Sequence, residues 1–367
     1  MGTILHQPFS FKNKELTIRN RVALAPLTNT QSHDDGTLSE SELHWLRLRG
    51  QGGFGFIITA AAHVLKTGKA WNGQIGIYDD MHIDGLRRLA DALHQDGAKC
   101  VVQLFHGGAR SPQFVTGVEP WSASSHEFYV GDKIIPVREG TEEDIQNVID
   151  AFVQAARRAI HAGCDGIELH AAHGYLLHQF LSTETNHRED DWGGSLAKRA
   201  HIIIEIVRKV QAISPKNFLV GVRISPEDKH AFKGIDFEDS LRLAEILESE
   251  NIDYLHISTW DYDKRPDMYD HIDKKLIAYF RERIKTPIIV AGNIWSRTDA
   301  INALTYGADM IALGRSGIGM ADWPKQVLSP DFEPHMPPYS EEHLQKAGLS
   351  APFIAYMTKW KGFVDEG

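Results

Sequence analysis

The chain of 367 residues is poor in cysteine, in long apolar runs and in excess positive charge. It has two cysteines, Cys100 and Cys164, too few for a disulfide framework or a Cys-held iron–sulfur cluster. Both sit at the start of apolar runs, where a thiol packs as a small hydrophobe. No apolar run reaches the length of a membrane span. The first residues carry no charged segment leading into an apolar one, so no signal peptide is expected. The chain begins Met-Gly, but position 6 is His6 rather than Ser or Thr, which breaks the myristoylation pattern. A reducing cytoplasm is the expected compartment. The net charge of −10 argues against nucleic acid and anionic membranes as partners, though it leaves room for a local basic pocket. No G-x-G-x-x-G follows the first apolar run, which speaks against an open dinucleotide-binding sheet.

What is present is a repeat of architecture. Short runs rich in Val, Ile, Leu and Ala occur at residues 22–25, 54–59, 100–104, 166–169, 218–224, 254–257, 287–291 and 310–313. They are near-continuous rather than alternating, as strands buried on both faces require. Amphipathic stretches at 84–94, 143–161, 197–213, 237–250, 274–284 and 298–305 lie between them. Gly97, Gly163 and Gly307 fall where helices should stop. The pattern predicts an α/β chain folded as a single (β/α)₈ barrel domain over 1–367, with its core at about residues 20–330. Two segments depart from the repeat. Residues 111–140 predict a β-hairpin insertion after strand 3, at 127–130 and 133–136 around Gly131-Asp132. A lid and a structural cap are both open for it. Residues 331–367, with Pro334, Pro337 and Pro338, predict a wrapping extension that ends in a short helix near 352–361.

Active sites of such barrels gather at the C-terminal ends of the strands. Those ends carry Pro26-Leu27-Thr28, Ala61, Gln103, His170 with His173 and Tyr175, Arg223, Gly292-Asn293 and Gly314-Arg315. Gly292 and Gly314 put bare backbone at strands 7 and 8, and Arg315 follows at once. That is where barrels of this kind hold a phosphate. Gln103 can donate and accept at once, matching an imide edge. Arg223 can face a delocalised negative charge. His170 and His173 fit three roles: zinc ligands with Glu168 nearby, ordinary core histidines, or a clamp for an oxyanion beside the acid Tyr175.

Taken in order, these segments resemble the old yellow enzyme family of FMN-dependent ene-reductases. The resemblance rests on Pro26-Leu27-Thr28, Gln103-Leu104-Phe105-His106, His170-Ala171-Ala172-His173-Gly174-Tyr175-Leu176-Leu177, Asn186-His187-Arg188, Asp190, Gly193-Gly194-Ser195, Ala291-Gly292-Asn293 and Gly314-Arg315. It implies non-covalent FMN, with NADH or NADPH as reductant. Pro26, Leu27, Thr28, Ala61, Gln103, His170, Arg223, Gly292, Asn293, Gly314 and Arg315 would touch the cofactor. Thr28 would sit near O4 and N5, Gln103 at the pyrimidine edge, and Arg223 by N1 and O2. Gly292, Gly314 and Arg315 would hold the phosphate. The substrate would be a small α,β-unsaturated carbonyl compound. His170 and His173 would grip its carbonyl, hydride would pass from N5 to the β-carbon, and Tyr175 would supply the proton. No resident metal is implied. His173 stands where many members have Asn, and Thr28 where one subgroup has Cys. The alternatives are a metal-dependent barrel hydrolase using the histidines and a non-catalytic flavin-binding protein. The substrate, the choice of nicotinamide and a homo-oligomeric state stay open. His106, Tyr129, Trp260 and Tyr262 are further candidates for the substrate pocket.

Overall fold

The computed structural model describes residues 4–11, 14–130, 133–228 and 234–365. Eight strands form the barrel: β1 Val22–Leu24, β2 Phe56–Ile58, β3 Lys99–Phe105, β4 Gly166–Ala171, β5 Leu219–Ile224, β6 Tyr254–Ser258, β7 Ile288–Ala291 and β8 Met310–Leu313. All neighbours run parallel, and β3 pairs with β4 to complete the ring. A short extra strand, Ala62–His63, lies beside the end of β3. Every barrel-strand residue except Lys99 and Ser258 is buried, which is why the runs are continuous in sequence.

Among the described residues the main helices between the strands are α1 Glu40–Gln51, α2 Ile83–Gln95, α3 Glu142–His161, α4 His201–Ile213, α5 Phe237–Ser249, α6 Leu276–Arg283 and α7 Arg297–Thr305. Thr141 with Asp144 and Ser296 with Asp299 form capping boxes that start α3 and α7. The expected helix at 197–213 is split, with Leu196–Arg199 forming a separate turn before α4. α1 is absent from the sequence pattern because its buried face includes Glu42 and Arg49. The Arg49 guanidinium is fully buried and donates to the carbonyls of Trp45, Gly317, Ile318 and Ala347.

The barrel bottom is closed by an N-terminal hairpin, Phe9–Ser10 against Thr17–Ile18, that the sequence pattern does not show. Phe11, Leu16 and Ile18 enter the barrel interior and pack with Phe56, Tyr254 and Met310. The insertion pairs His126–Val130 with Lys133–Glu139, and Trp121–Ser122 adds a third strand. Its turn at Gly131-Asp132 lies outside the described residues. The C-terminal segment forms two short helices, Glu341–Lys346 and Ala351–Met357, so the expected terminal helix starts and stops earlier than 352–361.

Candidate active site

A cavity of about 570 Å³ opens at the C-terminal ends of the strands. All the site candidates line it: Pro26, Leu27, Thr28, Ala61, Gln103, His170, His173, Tyr175, Arg223, Gly292, Asn293, Gly314 and Arg315. Trp260 lines it too, whereas His106, Tyr129 and Tyr262 do not. His106 is buried against Trp121, Tyr129 stands exposed on the hairpin, and the Tyr262 hydroxyl donates to Asp299. No described residue of 111–140 reaches the cavity.

β4 ends inside this cavity, and its turn builds the reactive wall. The rings of His170 and His173 lie 5.0 Å apart at 85°, and those of His170 and Tyr175 5.0 Å apart at 78°. Phe105 packs on Tyr175 at 4.4 Å. His173 adopts φ +60°, a left-handed conformation unusual for a residue other than glycine. The Ser225 hydroxyl accepts its N–H at 3.1 Å, and Arg110 donates to its carbonyl at 2.6 Å. Nδ1 of His170 accepts the Ala172 N–H at 3.3 Å, which leaves the proton of the neutral ring on Nε2. Nε2 of His173 pairs with the Ser258 hydroxyl at 2.9 Å, and that oxygen also accepts from Arg223 at 3.0 Å. With the hydroxyl donating to Nε2, the His173 ring carries its proton on Nδ1. Burial, reinforced by the Arg223 cation, pushes both imidazoles well below the ordinary histidine range. Both rings are therefore neutral N–H donors at neutral pH.

Under this wall lies a buried polar layer. Gln103 donates to Glu168 at 2.8 Å, and Glu168 pairs with His256 at 2.9 Å. Burial alone would push the Glu168 carboxyl up. His256, Arg223 and Gln103 together outweigh it, so the group is held below its usual value as a carboxylate. Burial brings Arg223 down to about 10, still a cation at neutral pH, with Glu168 opposing the shift. Sequence reasoning missed the Glu168–His256 pair. Its only signal was two polar residues inside otherwise apolar runs. Glu168 is thus engaged away from His170 and His173. Among the described residues no three His, Cys, Asp or Glu side chains converge as a metal would need.

The opposite end of the cavity is built by β7 and β8. A Cβ on Gly292 would fall 2.2 Å from the Thr259 hydroxyl and 2.7 Å from its carbonyl oxygen, so only glycine fits. Gly314 leads into the short helix α8, Arg315–Gly319. The side-chain Oδ1 of Asn293 accepts from the Trp295 indole N–H at 3.0 Å and from Arg315 at 3.3 Å, which orients the guanidinium. The C-terminal segment adds Tyr356, Met357 and Trp360 to the lining, three residues that no sequence pattern pointed to.

The model of the NADH:flavin oxidoreductase / NADH oxidase family matches residues 4–330. The chain belongs to this family. It is the old yellow enzyme family, and the chain is an NADH- or NADPH-dependent flavin oxidoreductase with FMN as cofactor. The oxidoreductase is 39% identical over 329 residues to the probable NADH-dependent flavin oxidoreductase YqiG of Bacillus subtilis (strain 168), covering 88% of this chain and 87% of YqiG. It is 33% identical over 322 residues to the NADH:acrylate oxidoreductase of Vibrio harveyi, covering 85% of this chain but only 32% of that longer protein. Among solved structures, the old yellow enzyme homologue from Zymomonas mobilis superposes with a TM-score of 0.76 at 27% identity, covering 88% of this chain and 92% of that one.

The residues present fit FMN. The cavity volume lies within the range of roughly 300–1,000 Å³ typical of cofactor pockets. Four basic side chains line it, Arg110, Arg223, Lys264 and Arg315, against one acid, Glu227. That excess suits a phosphate at one end and a negatively charged ring beside Arg223. The Arg223 Nε–H is buried without a protein partner. No described helix is long and apolar enough to cross a membrane.

Proposed function

We propose that the oxidoreductase reduces the activated C=C bond of α,β-unsaturated carbonyl compounds, acting as one FMN-binding domain over the whole chain in the cytoplasm. The observation that carries this is the turn after β4, where His170, His173 and Tyr175 converge on one wall of the cavity. Bound FMN, reduced by NADH or NADPH, would supply the hydride for the β-carbon. His170 through Nε2–H and His173 through Nδ1–H hold the carbonyl oxygen and stabilise the enolate that forms there. Tyr175 gives a proton to the α-carbon as general acid. Thr28 and Gln103 would bind the polar edge of the ring, Arg223 would stabilise negative charge on it, and Gly292, Gly314 and Arg315 would hold the phosphate. Pro26, Leu27, Ala61 and Asn293 complete the cofactor wall. The NADH:acrylate oxidoreductase relative, whose named substrate is an activated alkene, supports this substrate class.

The purified protein is expected to be yellow and to release FMN rather than FAD on heating. With NADH or NADPH and an enone such as 2-cyclohexenone, it should give the saturated ketone. A flavin-loaded protein that consumes NAD(P)H but yields no saturated ketone from a panel of enones would sink the proposal.

A further inference from the structure

The side chain outside the β4 turn that touches it most closely is Arg110. It sits at the end of a single 3-10 turn, Gly108–Arg110, after β3. Its guanidinium carbon lies 4.4 Å from the centre of the Tyr175 ring. One of its N–H groups donates to the His173 carbonyl at 2.6 Å. One planar group therefore grips both the phenol and the peptide of the left-handed histidine. The two turns are joined a second time by Gln179, which is 3% exposed. Its amide nitrogen donates to Gly107 and Gly174 carbonyls at 3.2 and 2.8 Å, and its oxygen accepts the Ala109 N–H at 3.1 Å. A third tie runs from the Leu176 N–H to the His106 carbonyl at 3.0 Å. Gly108 allows this contact, because a Cβ there would fall 2.2 Å from the Gln179 oxygen.

We propose that Arg110 is a positioning residue of the reaction, and that the 107–110 turn is a brace that fixes the catalytic turn. This rests on the reductase reading of the same site. The physical argument concerns His173. A histidine at φ +60° persists only where its surroundings over-determine it. Ser225 holds its N–H side and Arg110 its carbonyl side. Without Arg110, the His173 peptide loses a charge-assisted hydrogen bond and can rotate, carrying the imidazole away from the carbonyl it should grip. The Tyr175 ring loses its planar cationic neighbour at the same time. Lysine cannot replace the arginine fully. It keeps the charge and one donor, but not the flat fork that stacks and donates together.

The test is a double-mutant cycle between Arg110→Met and Tyr175→Phe, read on enone reduction by the pre-reduced enzyme in stopped flow. Methionine keeps the length and removes the donor and charge. Arg110→Met should slow this step about tenfold or more in the wild-type background and clearly less in the Tyr175→Phe background. Arg110→Lys should recover part of the loss. Binding of a simple phenol, followed by its long-wavelength band with oxidised flavin, gives an independent readout of His173. Its Kd should rise several-fold in Arg110→Met, since a donor has lost its fixed position. Yellow colour with full FMN occupancy shows that each variant is folded. Equal losses in both backgrounds, or an unchanged phenol Kd, overturn the brace. A wild type that holds FMN and reduces no enone overturns the reductase reading instead, and the phenol measurement still decides the role of Arg110.

Discussion

At the scale of single residues, the proposed mechanism separates groups by the half-reaction they serve. On it, Tyr175 is needed only when carbon receives a proton. Tyr175→Phe should therefore slow enone reduction by about 10²–10⁴-fold, the usual share of a general acid, and spare reduction of the flavin by NAD(P)H. Equal losses in the two stopped-flow phases would mark the tyrosine as structural. His173 makes a sharper case because its backbone is left-handed. Asparagine tolerates that conformation and offers an amide donor, whereas alanine does neither. His173→Asn should keep most of the phenol binding and His173→Ala should lose about 1.5–3 kcal/mol of it, the worth of a hydrogen bond to a charged group. If the two variants titrate alike, the ring is not a donor to the ligand oxygen.

At the scale of elements, the least obvious joint is the one made by Arg49. It ties α1 to α8 and to the carbonyl of Ala347 in the C-terminal segment. Among the described residues no acidic group pairs with it, and burial pushes its pKa well down. Removing it strands several buried carbonyls, each worth about 1–3 kcal/mol when left unpaired. Arg49→Ala should lower the Tm and loosen FMN together, because α8 begins at the Arg315 end of the cavity. A drop in stability with unaltered FMN affinity would show that α8 does not need this support. Much of the architecture was legible because each barrel strand is buried on both faces and so reads as an unbroken apolar run. α1 was not, since its core-facing side carries Glu42 and Arg49. The N-terminal hairpin was not either, since its strands are two residues long and their packing partners, Phe56 and Tyr254, are distant in sequence. The strand-end candidates do meet in one cavity because a barrel brings all eight ends to one face. Tyr356, Met357 and Trp360 arrive from a segment outside the repeat, and no periodicity could place them.

At the scale of the molecule, several imidazoles are buried in the folded protein. Burial takes His63 and His82 down to about 4 and His106 to about 3, and holds His170 and His173 well below the usual range. In the unfolded chain each would titrate near about 6.5. Between that value and the folded one, the unfolded chain binds more protons than the native protein. Their contribution to stability is thus complete above about pH 6.5 and falls away as the solution is acidified toward pH 4. Thermal melts should show Tm dropping progressively from about pH 6.5 downward, before most carboxylates titrate. His106→Gln should flatten part of that slope. A flat Tm between about pH 6.5 and pH 5 would mean these rings are protonated in the native state.

The sealed floor has a kinetic consequence. With Phe11, Leu16 and Ile18 filling the barrel from below, the described residues leave the cavity open toward the strand ends and closed toward the floor. On the proposed mechanism reductant and oxidant take turns in it, each leaving before the other enters. Steady-state plots at several fixed NADH concentrations should give parallel lines. Surplus enone should slow the enzyme by occupying the vestibule before the nicotinamide arrives. Intersecting lines would mean that both guests can be seated in the cavity at once.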